Sequence, residues 1–304
     1  MDRVAFVFPG QGAQHAGMGK LLQEGSAAAA EVFCVADSVC PGTSKLCFEG
    51  PEEALAITAN TQVCMFAVEL AAAMALKERG VQPVCAAGFS LGEVAALTFS
   101  GAVDLETGFR LVKRRGELMQ RDAEKTECAM AAVVKLPPET VEKLCAGFEG
   151  VYPVNYNGPG QVSVAGRKEP MADFAKAVKD AGGRAIPIRV KGGFHCAFMA
   201  DAAEAFGREL EQVCFAPPQI PLYSDYTAQV YGQDFPRLLS MQIKSPVRWQ
   251  ALVENMLASG VKTFVEVGPG KTLCGLISRI DANARVLNVE DLESLEKTVT
   301  EVGA

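Results

Sequence analysis

The stretch Val84-Cys85-Ala86-Ala87-Gly88-Phe89-Ser90-Leu91-Gly92-Glu93-Val94-Ala95-Ala96-Leu97 constrains the fold more than any other part of this chain. A short apolar run, the mark of a strand buried on both faces, meets G-x-S-x-G and then at once a helix-like segment. Such a turn holds the serine in strained backbone angles and brings strand and helix close together. Gly88 and Gly92 suit it because a Cβ at either position would collide with the opposite element. The turn also sets Ser90 at a helix N-terminus, where free N–H groups and the macrodipole favour developing negative charge. Ser90 is therefore a candidate nucleophile; the plainer alternative is a serine that only caps the helix.

The surrounding sequence alternates strand and helix. Residues 3–8 form a continuous apolar run, 60–79 have helical periodicity ending at Gly80, and Asp104 caps a helix running to about Asp122. The texture then changes: strand at 128–135, helix to about Ala146, strands at 151–155 and 161–165 joined by Asn157-Gly158-Pro159-Gly160, helix at 169–181 and strand at 184–189. That βαββαβ order is the ferredoxin-like unit. After it come a helix at 197–213, a strand at 220–224, helices at 235–243 and 247–258 split at Pro246, a strand at 263–267 and a helix at 271–280. The expected fold is α/β. An α/β-hydrolase-like core with a mostly parallel sheet (1–125 and 192–304) is interrupted by a ferredoxin-like subdomain at 126–191.

Composition narrows the function. With 304 residues, 49% apolar, the chain can bury a sizeable core. A net charge of −7 argues against non-specific nucleic-acid binding, and any anionic ligand must meet a local basic patch. The N-terminal apolar run is too short for a signal peptide, and the apolar stretch 63–76 is shorter than the ~20 residues that span a bilayer. A soluble, unexported, cytoplasmic chain without membrane contact is expected. The ten cysteines include no C-x-x-C pair and read as small core residues of a reducing compartment. Gly268-Pro269-Gly270-Lys271-Thr272 lacks the first glycine of a phosphate loop, where Val265 stands. Gly10-Gln11-Gly12 lacks the third glycine of a dinucleotide fingerprint, where His15 stands.

A serine hydroxyl needs a base, and only His15 and His195 are present. Both lie in glycine-rich loops. His195 follows Lys191-Gly192-Gly193-Phe194, and its place after the serine fits hydrolase-like sheets. No Asp stands out as a third member, and a backbone carbonyl can hold the imidazole instead. The loop Pro9-Gly10-Gln11-Gly12 follows the first strand, where an N–H can join that of Leu91 in an oxyanion hole.

Seven blocks in order then resemble the malonyl-CoA:acyl carrier protein transacylases. They are Phe8-Pro9-Gly10-Gln11-Gly12-Ala13-Gln14, Gly88-Phe89-Ser90-Leu91-Gly92-Glu93, Arg115-Gly116-Glu117-Leu118-Met119-Gln120, Val154 to Gln161, Phe194-His195, Gln242 to Trp249, and Val265 to Lys271. The resemblance spans 4–280. It implies Ser90 as nucleophile, His195 as base, the Gln242 backbone carbonyl orienting His195, and the N–H groups of Gln11 and Leu91 as oxyanion hole. It also implies Arg115 as clamp for the malonyl carboxylate, with Met119, Asn155 and Asn157 in the substrate site. Read alone, Lys113-Arg114-Arg115 on a helix is a solvated face. A guanidinium fork nevertheless matches the one group that separates malonyl from acetyl. The chain departs from the family at Phe89, where many relatives carry His, and at Phe194, where bacterial members often carry Ser.

The resemblance implies ping-pong transfer from malonyl-CoA, the substrate, to acyl carrier protein, with no bound cofactor and no metal. Arg184, Arg189 and Lys191 are candidates for docking the acidic carrier, and a monomer is expected. The rival enzyme is a serine esterase or thioesterase using water; the rival non-enzyme is a carrier-binding domain with a degenerate site.

Overall fold

The computed structural model describes residues 3–188, 190 and 192–303. Among these, nine strands run in chain order: β1 (Val4–Phe8), β2 (Cys85–Gly88), β3 (Cys128–Val134), β4 (Val151–Gly158), β5 (Gln161–Arg167), β6 (Arg184–Ile188), β7 (Leu222–Tyr223), β8 (Thr263–Val267) and β9 (Arg285–Val289). Five form a sheet in the order β7-β2-β1-β8-β9, with every pairing parallel. The other four form a separate antiparallel sheet in the order β4-β5-β3-β6. Every residue of β1, β2 and β8 is buried, as expected for parallel strands covered on both faces.

Helix Thr58–Glu78 explains the long apolar stretch. By length and composition it could cross a bilayer, yet 83% of its most apolar window is buried inside the fold. It packs on the helices Ala27–Val39, Leu91–Phe99 and Leu105–Ala123. Its approach to Leu105–Ala123 is close because Gly116 has no side chain; a Cβ there would lie 3.0 Å from Ala59 Cα. Asp104 caps Leu105–Ala123 by accepting from the Thr107 N–H at 2.7 Å.

The small sheet is also held by backbone hydrogen bonds to a segment outside both sheets. Tyr156 N–H donates to the Val247 carbonyl at 2.8 Å, and Val247 N–H donates to the Val154 carbonyl at 2.9 Å. β4 is thereby tied to the segment that follows helix Phe235–Lys244.

Several expectations need correction. The helix expected at 197–213 is a 3-10 turn Ala197–Met199 followed by Ala200–Leu210, and the strand expected at 220–224 is only Leu222–Tyr223. Helices Lys20–Gly25, Ala27–Val39, Thr43–Glu49 and Glu52–Leu55 occupy a region the sequence pattern left unassigned, as do β9 and helix Leu292–Val302. The last has a readable signal: Asp291 and Ser294 form a capping box. All ten cysteines are free, six of them buried.

At the turn after β2, an added Cβ on Gly88 would run into the backbone of Gly92 and Glu93, and one on Gly92 into the carbonyls of Phe8 and Pro9. Gly92→Ala should therefore cost upward of about 3 kcal/mol, because backbone rather than a flexible side chain must move. A urea midpoint within error of the unsubstituted chain would contradict this close packing.

Candidate active site

Ser90 lies between the carboxyl end of β2 and helix Leu91–Phe99, with φ 58° and ψ −107°. L-residues seldom adopt such angles, which cost about 1–3 kcal/mol and persist only when the surroundings impose them. Two side chains do so here. Asp225 Oδ2 accepts from the Ser90 N–H at 2.6 Å, and Gln242 Nε2 donates to the Ser90 carbonyl at 2.6 Å. Both polar groups of the strained residue are thus held from the last third of the chain.

The Ser90 hydroxyl donates to His195 Nε2 at 2.7 Å. His195 Nδ1–H donates to the Gln242 backbone carbonyl at 2.9 Å. A carbonyl can only accept, so Nδ1 carries the proton and Nε2 is free to receive the one from Ser90. His195 also has a positive φ, 60°, and is 4% exposed. His15 does not join this pair: its Nδ1 faces the Ala13 carbonyl at 3.2 Å in an exposed loop. Burial, reinforced by the Arg115 charge, depresses His195 to about 4, so the imidazole is neutral at pH 7.

Arg115 is 1% exposed, not part of a solvated face. Its Nη2 donates to Ser90 Oγ at 3.2 Å and to Gln242 Oε1 at 2.7 Å, and its Nη1 donates to Gln62 Oε1 at 2.8 Å. Burial lowers it to about 10, partly offset by Asp225 and Glu93, and it remains charged at neutral pH. Beneath it lies a carboxyl pair. Glu93 accepts from Gln242 Nε2 at 2.7 Å and from the Tyr231 hydroxyl at 2.5 Å. Burial pushes both Glu93 and Asp225 up from the usual carboxylate range, and for Asp225 the neighbouring Glu93 adds to the rise.

A cavity of about 260 Å³ opens above the serine, lined by Gln11, Ser90, Met119, Asn155, Asn157 and His195 among others. Asn155 Oδ1 and Asn157 Oδ1 are buried without a partner among the described residues. Gly10 abuts the Phe89 carbonyl, where an added Cβ would sit at 3.0 Å, so the loop after β1 lies against the serine turn. Leu91 takes the first helical position, where its N–H has no intrahelical acceptor. The Phe89 ring faces Trp249 at a centroid distance of 5.6 Å and also borders the cavity.

A family model for the acyl transferase domain matches residues 5–295. The chain belongs to this acyl transferase family. Malonyl CoA-acyl carrier protein transacylase of Bacillus subtilis (strain 168) is 35% identical over 307 residues, covering 98% of this chain and 97% of the relative. The crystal structure of malonyl CoA-acyl carrier protein transacylase from Clostridium perfringens superposes with a TM-score of 0.95 at 37% identity, covering 99% of this chain and 97% of that one. A type II PKS acyl-carrier protein in complex with its malonyl-transacylase gives a TM-score of 0.94 at 35% identity, covering 99% of this chain and 100% of that one. The family is the one that the seven sequence blocks resemble.

Within this acyl transferase domain, Ser90, His195, the Gln242 carbonyl and Arg115 meet at one point, although 152 positions separate Ser90 from Gln242. Arg184 lies apart, exposed on edge strand β6. Arg189 and Lys191 lie outside the described residues. Sequence reasoning missed Gln62, Glu93, Asp225, Tyr231 and the side-chain role of Gln242. Glu93 and Gln62 left a trace as polar residues inside apolar helices; Asp225 left none, because it lies just past the strand expected at 220–224, outside any motif.

The depressed His195 sets an expected pH profile. An ordinary histidine titrates at about 6.5, whereas the His195 imidazole stays neutral until pH falls toward 4. The rate of serine acylation should stay flat from pH 8 to about 5 and lose its acid limb only near 4. A stopped-flow profile falling with a midpoint near 6.5 would contradict a buried, desolvated base.

Proposed function

We propose that the protein is a malonyl-CoA:acyl carrier protein transacylase working by ping-pong transfer through a malonyl ester of Ser90. The observation that carries the reading is the buried Arg115 guanidinium, 3.2 Å from the hydroxyl that bonds to the His195 base. A cation buried beside a nucleophile selects an acyl group bearing its own carboxylate.

In the first half-reaction His195 Nε2 takes the Ser90 proton as Oγ attacks the thioester carbonyl. The Nδ1–H···O=C bond to Gln242 keeps the imidazolium oriented. The N–H groups of Gln11 and Leu91 receive the oxyanion; losing one such donor typically costs about 10²–10³ in rate. The tetrahedral intermediate collapses, the C–S bond breaks, and the CoA thiolate takes the proton from His195. In the second half the carrier's thiol gives its proton to His195 and attacks the ester, and Ser90 leaves with that proton. Met119 borders the acyl end of the cavity. Asn155 and Asn157 offer their unpartnered carbonyl oxygens to the amide N–H groups of a pantetheine arm. Each proton in this cycle passes through His195, with malonyl-CoA as substrate.

The same reading describes the large unit (1–125 and 192–304) as α/β-hydrolase-like, supported by the parallel sheet and the serine turn at its carboxyl edge. It describes the small unit (126–191) as ferredoxin-like, supported by the βαββαβ order and the sheet order β4-β5-β3-β6. Carrier docking is assigned to the small unit's edge near Arg184, because Ile188 at the other end of β6 borders the cavity. Ten free cysteines fit a cytoplasmic, reducing setting.

Intact-protein mass after mixing with malonyl-CoA alone should show a malonyl adduct that Ser90→Ala lacks. Release of malonate with no adduct at any time would instead point to a hydrolase. Arg115→Ala should lose about ten- to a hundredfold in malonyl transfer while keeping acetyl transfer, the size of a charge-assisted bond. Equal loss of both activities would refute the clamp.

A further inference from the structure

The described residues that hydrogen-bond Arg115 all do so with neutral oxygens: Gln62 Oε1 at 2.8 Å, Gln242 Oε1 at 2.7 Å and Ser90 Oγ at 3.2 Å. This is unusual for a guanidinium that is 1% exposed, since buried charges are ordinarily paired. Two carboxyls, Glu93 and Asp225, lie close enough to be felt by it, yet the Gln242 amide stands between. That amide turns its oxygen to Arg115 and its nitrogen to Glu93 Oε2 at 2.7 Å.

Gln62 completes the cradle from the other side. It is 1% exposed on helix Thr58–Glu78, brought to Arg115 by the close helix approach at Gly116, where an added Cβ would lie 3.4 Å from Gln62 Cβ. Its amide has a defined sense: Nε2 donates to Met119 Sδ at 3.4 Å, one helical turn beyond Arg115, which leaves Oε1 to face the guanidinium. The Gln62 side chain hydrogen-bonds Met119 and Arg115, not Ser90 or His195.

We infer that Gln62 is a specificity-determining residue: it aims the Arg115 guanidinium at the serine through a neutral oxygen, leaving the full charge for the carboxylate of the incoming acyl group. A glutamate there would form a buried ion pair with Arg115 and compete with that carboxylate. A purely structural glutamine, present only to satisfy a buried donor, would affect all acyl groups alike. The inference rests on malonyl transfer through Ser90 and names the residue that sets its selectivity.

The test compares the full chain with Gln62→Glu and Gln62→Met, using malonyl-CoA and acetyl-CoA as donors and pantetheine as acceptor thiol. Gln62→Glu keeps the side-chain volume and should cut kcat/KM for malonyl by about ten- to a hundredfold, chiefly through KM, while acetyl transfer stays within about twofold. Gln62→Met, which removes the oxygen without adding charge, should lower the malonyl-to-acetyl ratio by a smaller factor. An unchanged ratio in both variants, or equal loss of both donors, overturns the inference. Should Gln62→Glu fail to fold by thermal melting, the Gln62→Met ratio decides alone: a fall supports the assignment and an unchanged value overturns it. An unsubstituted chain that forms no malonyl ester overturns the transfer reading itself, and the role of Gln62 with it.

Discussion

The peptide of Ser90 is held at both ends by side chains, and the site depends on that grip. A residue at φ 58° does not stay there unaided. Asp225 takes its N–H and Gln242 takes its carbonyl, each at 2.6 Å, in a buried setting where losing either bond leaves an unpaired polar group. The glycines on either side let β2 and helix Leu91–Phe99 approach closely enough for the turn to exist. The flanking strands are parallel and fully buried, so the turn stands on a rigid floor and the hydroxyl points at the cavity above.

Gln242 links the parts. Its carbonyl orients His195, its amide nitrogen holds the Ser90 carbonyl and Glu93, and its amide oxygen receives Arg115. One residue therefore couples the His195 imidazole, the Ser90 backbone and the buried Arg115 cation. The helix that carries it leads into Val247, which pairs with β4, the strand bearing Asn155 and Asn157. The placement of the small sheet and the geometry of the Ser90–His195 pair thus share a backbone connection.

Burial decides the electrostatics. In water an imidazole, a guanidinium and two carboxylates would titrate near their ordinary values. Inside, His195 is held neutral, Arg115 keeps its charge while losing hydration, and burial raises Glu93 and Asp225 above the usual carboxylate range. The first suits the proposed base and the second the proposed carboxylate clamp.

Local signals made much of this readable. The apolar runs at β1, β2 and β8, the βαββαβ order, and the turn around Ser90 all follow from short-range steric and hydrophobic rules, and the strand at 263–267 matches to the residue. The helices within 20–55 were not readable: Ala27–Val39 opens on a run of alanines without a sharp polar face, and the other three are too short to show a helical period. The sequence by itself determined that Ser90 sits in a strained turn at a helix N-terminus, since two glycines and their flanking elements leave no other geometry. Only the tertiary structure decided which histidine meets it, that Asp225 serves the serine's backbone rather than the imidazole, and that two glutamines cradle Arg115. Those contacts join positions tens to hundreds of residues apart, and no local pattern encodes which distant side chain a fold will bring within 3 Å.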